Sequence, residues 1–128
     1  MRLLLDTHAF LWWLAGNESL PLRSRAAINE RESVVFVSAA SAWEIAAKYR
    51  IGKLPIAARI VGRLGAILVD QNFVELPVTL AHAEAAGALP GPHRDPFDRM
   101  LIAQALAENL TLVSNERLFD AFGVARLW

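Results

Sequence analysis

Short apolar runs alternate along the chain with longer segments in which apolar and polar residues mix. The apolar runs, predicted as strands, are 3–5, 34–37, 73–76, 110–113 and 124–127. The longer segments, predicted as helices, are 8–15, 21–32, 38–50, 56–68, 79–88, 95–108 and 116–122. Near-continuous apolar strands that alternate with helices indicate a parallel sheet covered on both faces. The pattern therefore predicts an α/β fold, a three-layer α/β/α sandwich around a mainly parallel central sheet.

Length and composition indicate the number of domains and exclude several classes of function. A chain of 128 residues is long enough for one hydrophobic core, so we expect a single domain over 1–128. Apolar residues make up 55% of the chain and include four Trp, which leaves apolar surface for a protein partner. The 13 basic and 13 acidic residues cancel, so no basic coat for general nucleic-acid binding is expected. The absence of cysteine excludes a disulfide framework and a thiolate metal site.

The amino-terminal residues are apolar, but they do not fit a signal peptide or a membrane anchor. Asp6 and His8 interrupt the first apolar stretch, which argues against a signal peptide. The longest uninterrupted apolar run, 9–15, is far shorter than the roughly 18–20 residues that span a bilayer. We therefore expect a cytoplasmic protein that does not enter a membrane.

Acidic residues follow two of the predicted strands. Asp6 and Thr7 come directly after the first strand, and the stretch 114–116 (Ser-Asn-Glu) follows the run 110–113. Ligands bind beyond the carboxyl ends of the strands in open α/β sheets. Further acids at or near predicted helix starts are expected at the same edge; they are Glu44, Asp95 and Asp98. Carboxylates that converge there without Lys or Arg would repel one another, and oxygen ligands of this kind suit a hard divalent cation.

Helix capping is the alternative explanation for Asp6 and Glu44. Asp6 is suited to cap the helix that follows it. Glu44 would complete a capping box if its helix began at Ser41. If that helix begins at Ser38, Glu44 lies in the second turn and needs another reason to be there.

The acids near the last two helices have the same two explanations. Asp95 is suited to cap a helix with Pro96 at its first position and Asp98 at its third. One of the two acids could then cap the helix while the other binds a metal, and Asp98 is the preferred ligand. Glu116 fits the first turn of a short helix, with Ser114 or Asn115 as its cap; these two could equally bind a metal-bound water or a phosphate oxygen.

The three histidines do not have the spacing of a zinc site. His8, His82 and His93 are therefore predicted as surface residues or hydrogen-bonded core residues, although His8 is close enough to Asp6 to be a candidate substrate contact.

Four motifs in this order resemble those of PIN-domain proteins, and VapC-like toxins of type II toxin–antitoxin systems in particular. They are 4–8 (LLDTH), 43–45 (WEI), 93–99 (HRDPFDR) with 101–105 (LIAQA), and 112–116 (LVSNE) with Phe119. The resemblance covers the whole chain, and the third motif is fairly specific. The acidic quartet of the family matches Asp6, Glu44, Asp98 and Glu116, although the family more often has Asp at the last position. Asp95 is an extra acid typical of this branch.

The resemblance implies a Mg²⁺- or Mn²⁺-dependent endoribonuclease that hydrolyses RNA phosphodiesters. Asp6 and Asp98 would be the principal metal ligands, and Glu44 would bridge a second ion or orient the attacking water. Glu116 would hold the metal or its water, Asp95 is a further candidate ligand, and Thr7, Ser114 and Asn115 would supply supporting hydrogen bonds. A homodimer and a VapB-like antitoxin are the implied protein partners.

Three other functions are compatible with parts of the sequence. A phosphatase with a nucleophilic Asp6 needs a second Asp two residues later, where this chain has His8. A PIN nuclease that is not a toxin would carry the same acids. A PIN-like binding module with a vestigial acidic site would not bind metal, and the number of retained acids argues against it.

Overall fold

The computed structural model describes residues 1–128. The five strands are β1 (Arg2–Leu5), β2 (Val34–Ser38), β3 (Val74–Leu76), β4 (Thr111–Val113) and β5 (Arg126–Leu127). The six α-helices are α1 (Thr7–Ala15), α2 (Leu22–Asn29), α3 (Ala39–Arg50), α4 (Leu64–Gln71), α5 (Leu80–Ala88) and α6 (Pro96–Glu108). Two 3₁₀ helices, Pro55–Arg59 and Arg117–Phe122, complete the secondary structure. None of the helices has the length and hydrophobicity needed to span a bilayer.

The strands form one sheet in the order β3-β2-β1-β4-β5, and every neighbouring pair is parallel. β1 lies at the centre, where Leu4 is opposite Phe36 of β2 and Leu112 of β4. A central parallel strand is buried on both faces, which explains why β1 reads as an uninterrupted leucine run. All carboxyl ends of the strands consequently lie at one edge of the sheet.

Two hydrophobic clusters cover the two faces of the sheet. Leu3 and Leu5 point to one face and pack in a cluster that includes Phe10 of α1 and Leu68 of α4. Leu4 points to the other face, where its cluster is formed mainly by α6 and the segment that follows β4. This alternation places helices on both sides of the sheet and confirms the predicted three-layer α/β/α arrangement.

The predicted helix 56–68 is wrong. The structure has a 3₁₀ helix, Pro55–Arg59, and then α4, which begins at Leu64 and ends at Gln71. Gly62 between them has a φ of 84°, a left-handed conformation that interrupts a right-handed helix. Apolar residues continue through both elements, so the hydrophobic pattern did not reveal the break. The predicted helix 21–32 is also shorter, since α2 ends at Asn29, and the last strand contains only two residues.

Candidate active site

The predicted site residues meet in a small polar cavity at the carboxyl edge of the sheet. Its volume is about 110 Å³. The residues that line it are Asp6, Thr7, His8, Glu44, Lys48, Asp95, Asp98, Asn115, Glu116 and Phe119. Five carboxylates from four separate parts of the chain therefore border one space. Ser114 is fully buried next to this cavity rather than in its lining.

Asp6 occupies the tip of the central strand. Its backbone N–H donates to the carbonyl of Val113 at 3.0 Å, which joins the ends of β1 and β4. Its carboxylate Oδ1 accepts a hydrogen bond from the backbone N–H of Ala9 at 2.7 Å, so Asp6 is the N-cap of α1. The capping and the active-site interpretations are thus compatible, because one oxygen caps the helix while the carboxyl group borders the cavity.

Glu44 is held at the cavity by contacts to both of its carboxylate oxygens. Ser38 caps α3, which places Glu44 in the second turn and rules out the capping box with Ser41. Thr7 Oγ1 lies 2.6 Å from Glu44 Oε1 and 3.0 Å from Ser41 Oγ. A hydroxyl has one hydrogen, so Thr7 donates to the carboxylate and can accept from Ser41. Lys48, one helical turn later, donates to Glu44 Oε2.

Asp95 and Asp98 lie at the start of α6, where Asp95 caps the helix and Asp98 borders the cavity. Asp95 Oδ1 accepts from the backbone N–H groups of Phe97 and Asp98 at 2.9 and 3.1 Å, which is the predicted N-cap geometry. Asp98 does not cap the helix. Its Oδ2 lies 2.9 Å from Nε2 of His93, and the carboxyl group is free to border the cavity.

The segment after β4 contributes the opposite wall. The Ser114 hydroxyl accepts from the backbone N–H of Glu116 at 3.0 Å. Glu116 itself caps the following 3₁₀ helix, since Oε1 accepts from the backbone N–H of Leu118 at 3.3 Å. Asn115 is exposed at the cavity mouth. Glu116 is half-exposed, and its carboxylate is held less firmly at the site than those of the buried residues Asp6 and Glu44.

Burial and mutual repulsion of the carboxylates set the electrostatics of the cavity. Burial raises the pKa of Asp6 above its ordinary value, hydrogen bonds from Ser114 and Ala9 offset part of the rise, and nearby Asp98 adds to it. Burial also raises the pKa of Asp98, and Asp95 repels its charge further while His93 counteracts the rise. Two carboxyl groups that resist ionisation side by side form a site that a cation would stabilise.

The site contains two groups that the sequence analysis did not place there. Carboxylates without Lys or Arg were expected, but the structure places Lys48 among them. Its spacing of four residues from Glu44 on one helix was the available signal. His93 was predicted as a surface or core residue, yet its ring contacts Asp98 and packs edge-on against Phe119. Its place at the start of the motif 93–99 was a signal, but the contact itself depends on the path of the loop before α6.

The donor set fits a hard divalent cation in chemistry, although the side chains do not form a closed cage. Oxygen atoms of Asp6, Asp95, Asp98 and Glu116 are the ligands that Mg²⁺ or Mn²⁺ prefers. No group of three or more His, Asp or Glu side chains stands close enough to hold an ion. Mg²⁺ commonly uses one or two carboxylates, with water and substrate oxygens completing its coordination. The arrangement matches that sparse kind of site.

The raised pKa of Asp6 predicts a pH-dependent effect on stability. In metal-free protein at neutral pH, Asp6→Asn is expected to have a larger free energy of unfolding than the wild type, because Asn caps α1 without a buried charge. The wild-type carboxyl binds its proton more tightly when folded than when unfolded, so its penalty disappears as the pH falls through the raised pKa towards 3.8. Urea unfolding in EDTA, from neutral pH to about pH 4, measures the difference. A difference that grows as the pH falls would contradict this prediction.

Comparison with known sequences identifies a family and a relative that match most of the chain. The profile of the PIN domain matches residues 3–124. Ribonuclease VapC22 of Mycobacterium tuberculosis is 28% identical over 115 residues, which cover 89% of this chain and 86% of that protein.

Comparison with solved structures finds the same fold in VapBC and VapC proteins. VapBC2 of Rickettsia felis, bound to a DNA fragment of its promoter, includes a chain with a TM-score of 0.73 at 17% identity. That match covers 100% of this chain and 99% of the other. VapC20 of Mycobacterium tuberculosis, a toxin that cleaves the sarcin-ricin loop, has a TM-score of 0.71 at 15% identity, with 96% of both chains covered. With the profile match over nearly its whole length and this shared fold, the chain belongs to the PIN domain family.

Proposed function

We propose that this protein is a metal-dependent endoribonuclease and the toxin of a VapBC-type toxin–antitoxin module. The observation that carries the proposal is the convergence of Asp6, Glu44, Asp95, Asp98 and Glu116 on one cavity of a PIN fold. The similarity to a ribonuclease named VapC22, and to the fold of VapBC complexes, supports RNA as the substrate and a toxin role.

In this proposal Asp6 and Asp98 hold a Mg²⁺ or Mn²⁺ ion, and Glu116 and Asp95 contribute at the rim. Asp6 is fixed by its hydrogen bond from Ala9, and Asp98 is positioned by the first turn of α6. When bound, the ion supplies Lewis-acid polarisation of the phosphodiester and favours attack by water. Phosphate oxygens of the RNA would be available as further ligands, because Mg²⁺ needs only a small number of carboxylates.

Other residues of the chain orient the reacting groups. Glu44 is immobilised by Thr7 and Lys48, and each of its oxygens keeps a lone pair that can accept from the attacking water. Asn115 and His8 are exposed at the cavity and can donate hydrogen bonds to phosphate oxygens. The neutral net charge implies that these local contacts, and not a general positive surface, bind the RNA.

The proposal includes two protein partners, a VapB-like antitoxin and a second copy of the chain, in the cytoplasm. The surface has exposed apolar side chains suited to such contacts, among them Trp43, Ile56 and Leu80, which are 64%, 66% and 89% exposed. Trp43 and Val78 border an apolar groove of about 490 Å³. Ile56 borders a separate cavity of about 280 Å³, formed with α1. Two separate apolar areas agree with two partners.

Cleavage of a structured RNA pool by the purified chain tests the enzymatic part of the proposal. We expect discrete cuts with Mg²⁺ or Mn²⁺ and none in EDTA, because the one Lys or Arg of the acidic cavity, Lys48, is engaged by Glu44 and the remaining carboxylates repel a phosphate. Cuts that persist in EDTA would contradict metal dependence. Folded protein that binds no Mn²⁺ and cleaves nothing would instead support a binding module with a vestigial site.

The toxin part of the proposal has a separate test. A toxin of this type is expected to have a small antitoxin gene immediately upstream, whose product suppresses the cleavage when the two proteins are mixed. Metal-dependent cleavage without such an inhibitor would identify a PIN nuclease that is not a toxin.

A further inference from the structure

Lys48 is the one Lys or Arg side chain that lines the acidic cavity, and the proposed reaction uses it only to hold Glu44 in place. It lies on α3 one turn after Glu44 and is about one-third exposed. The side chain therefore has access to the cavity while its ammonium group remains close to the carboxylates. The position suggests that it takes part in the charge balance of the site.

The contacts of Glu44 show which group Lys48 neutralises. Glu44 is only 4% exposed, and a buried carboxylate needs compensating partners. Thr7 donates to Oε1 at 2.6 Å, and the ammonium of Lys48 donates to Oε2. The ammonium of Lys48 balances the single negative charge of Glu44, so the pair as a whole attracts a metal ion less than a free carboxylate would.

Lys48 also lies close enough to the start of α6 for its charge to act on the acids there. Asp95 and Asp98 both interact electrostatically with it, in addition to Glu44. Asp6 lies on the other side of the cavity, where the charged groups that act on it are His8 and Asp98. The cavity thus has one side with the Glu44–Lys48 ion pair and another side where Asp6 and Asp98 repel each other without a Lys or Arg between them.

We propose that Lys48 is a built-in counter-ion that takes the place of a second divalent cation, so that the site binds one metal ion at Asp6 and Asp98. This inference rests on the proposed function and specifies its metal stoichiometry. Lys48 acts through Glu44 and the local charge, and it is a positioning residue. Removing the charge of Lys48 leaves the buried carboxylate of Glu44 with the hydroxyl of Thr7 but without a positive partner, which creates a second place for a cation.

Mn²⁺ binding to RNA-free protein tests the proposal without reference to activity. Isothermal titration calorimetry and electron paramagnetic resonance of free Mn²⁺ are expected to give one ion per wild-type chain. The Lys48→Met variant is expected to bind two ions. Lys53→Met is the matched control because Lys53 is the other lysine of the chain, is exposed and lies outside the cavity, and it should bind one ion.

A further variant and a second measurement distinguish the loss of the Lys48 charge from a change in folding. Lys48→Arg retains the positive charge and should bind one ion, whereas a neutral side chain at that position should allow two. Mn²⁺ should also raise the melting temperature of Lys48→Met more than that of the wild type, because an additional ion binds only the folded state. Two ions in the wild type, or one ion with unchanged affinity in Lys48→Met, would overturn the inference.

The outcomes separate this inference from the proposed function. Wild-type protein that cleaves RNA with two bound ions would refute the role of Lys48 and leave the nuclease intact. Wild-type protein that neither binds Mn²⁺ nor cleaves RNA would refute the proposed function itself.

Discussion

Replacing Asp6 or Asp98 by Asn is expected to reduce metal-dependent RNA cleavage about 1,000-fold while the fold is retained. Each substitution removes one negative charge from the proposed pair of principal ligands. Metal ions contribute several kcal/mol of transition-state stabilisation, and each 1.36 kcal/mol corresponds to about a tenfold change in rate. The loss is measured as the initial rate of cleavage of the same RNA, at saturating Mn²⁺ and over a range of metal concentrations.

The fold should survive because neither carboxylate charge stabilises it. Asn at position 6 can still accept the hydrogen bond from Ala9, and asparagine is as good an N-cap as aspartate. Asp98 has a raised pKa because of burial, so its ionised form costs stability.

Asp70→Asn is the matched control for this prediction. Asp70 lies on α4, is exposed and is not part of the cavity. Its variant should cleave at the wild-type rate. Full activity in a folded Asp98→Asn protein would remove Asp98 from the mechanism, and full activity in Asp6→Asn would do the same for Asp6.

Much of the site could be predicted because strands and caps are local in sequence. The leucine run before Asp6 indicated a strand that is buried on both faces, and a parallel sheet brings all its carboxyl ends to one edge. The cap at Asp95 followed from Asp-Pro at a helix start, and it left Asp98 available one turn further. Residue type and position along the chain were sufficient for these inferences.

Other features depend on the paths of loops, which apolar patterning does not encode. His93 reaches Asp98 because the segment between α5 and α6 folds back over the start of α6. The break between Pro55–Arg59 and α4 occurs within an apolar stretch, where each part has its own contacts with the core. Lys48 was predictable from its helical spacing to Glu44, but its role required knowledge of which face of α3 borders the acids. These features are determined by how distant segments pack together, and the preferences of single residues do not reveal that packing.

Arg99→Met is expected to lower the free energy of unfolding by about 3 kcal/mol, a change of more than 100-fold in the folding equilibrium. Arg99 lies on α6, where its guanidinium donates to three backbone carbonyls of α5 and the loop after it. The acceptors are Ala86 at 3.1 Å, His93 at 3.0 Å and Leu89. Hydrogen bonds to charged groups contribute about 1.5–3 kcal/mol each, and carbonyls that regain water as the loop opens offset part of the sum.

Loss of these hydrogen bonds should also affect the active site, because the same loop positions His93 next to Asp98. We expect faster amide hydrogen exchange in residues 89–95 and cleavage about tenfold slower, since Asp98 itself is unchanged. Arg94→Met is the control for stability, as Arg94 is exposed on the same loop. Unfolding of Arg99→Met within about 0.5 kcal/mol of the wild type would mean that Pro90 and Pro92 restrict the loop enough without the guanidinium. In that case cleavage should also be unchanged, because the position of His93 would not depend on Arg99.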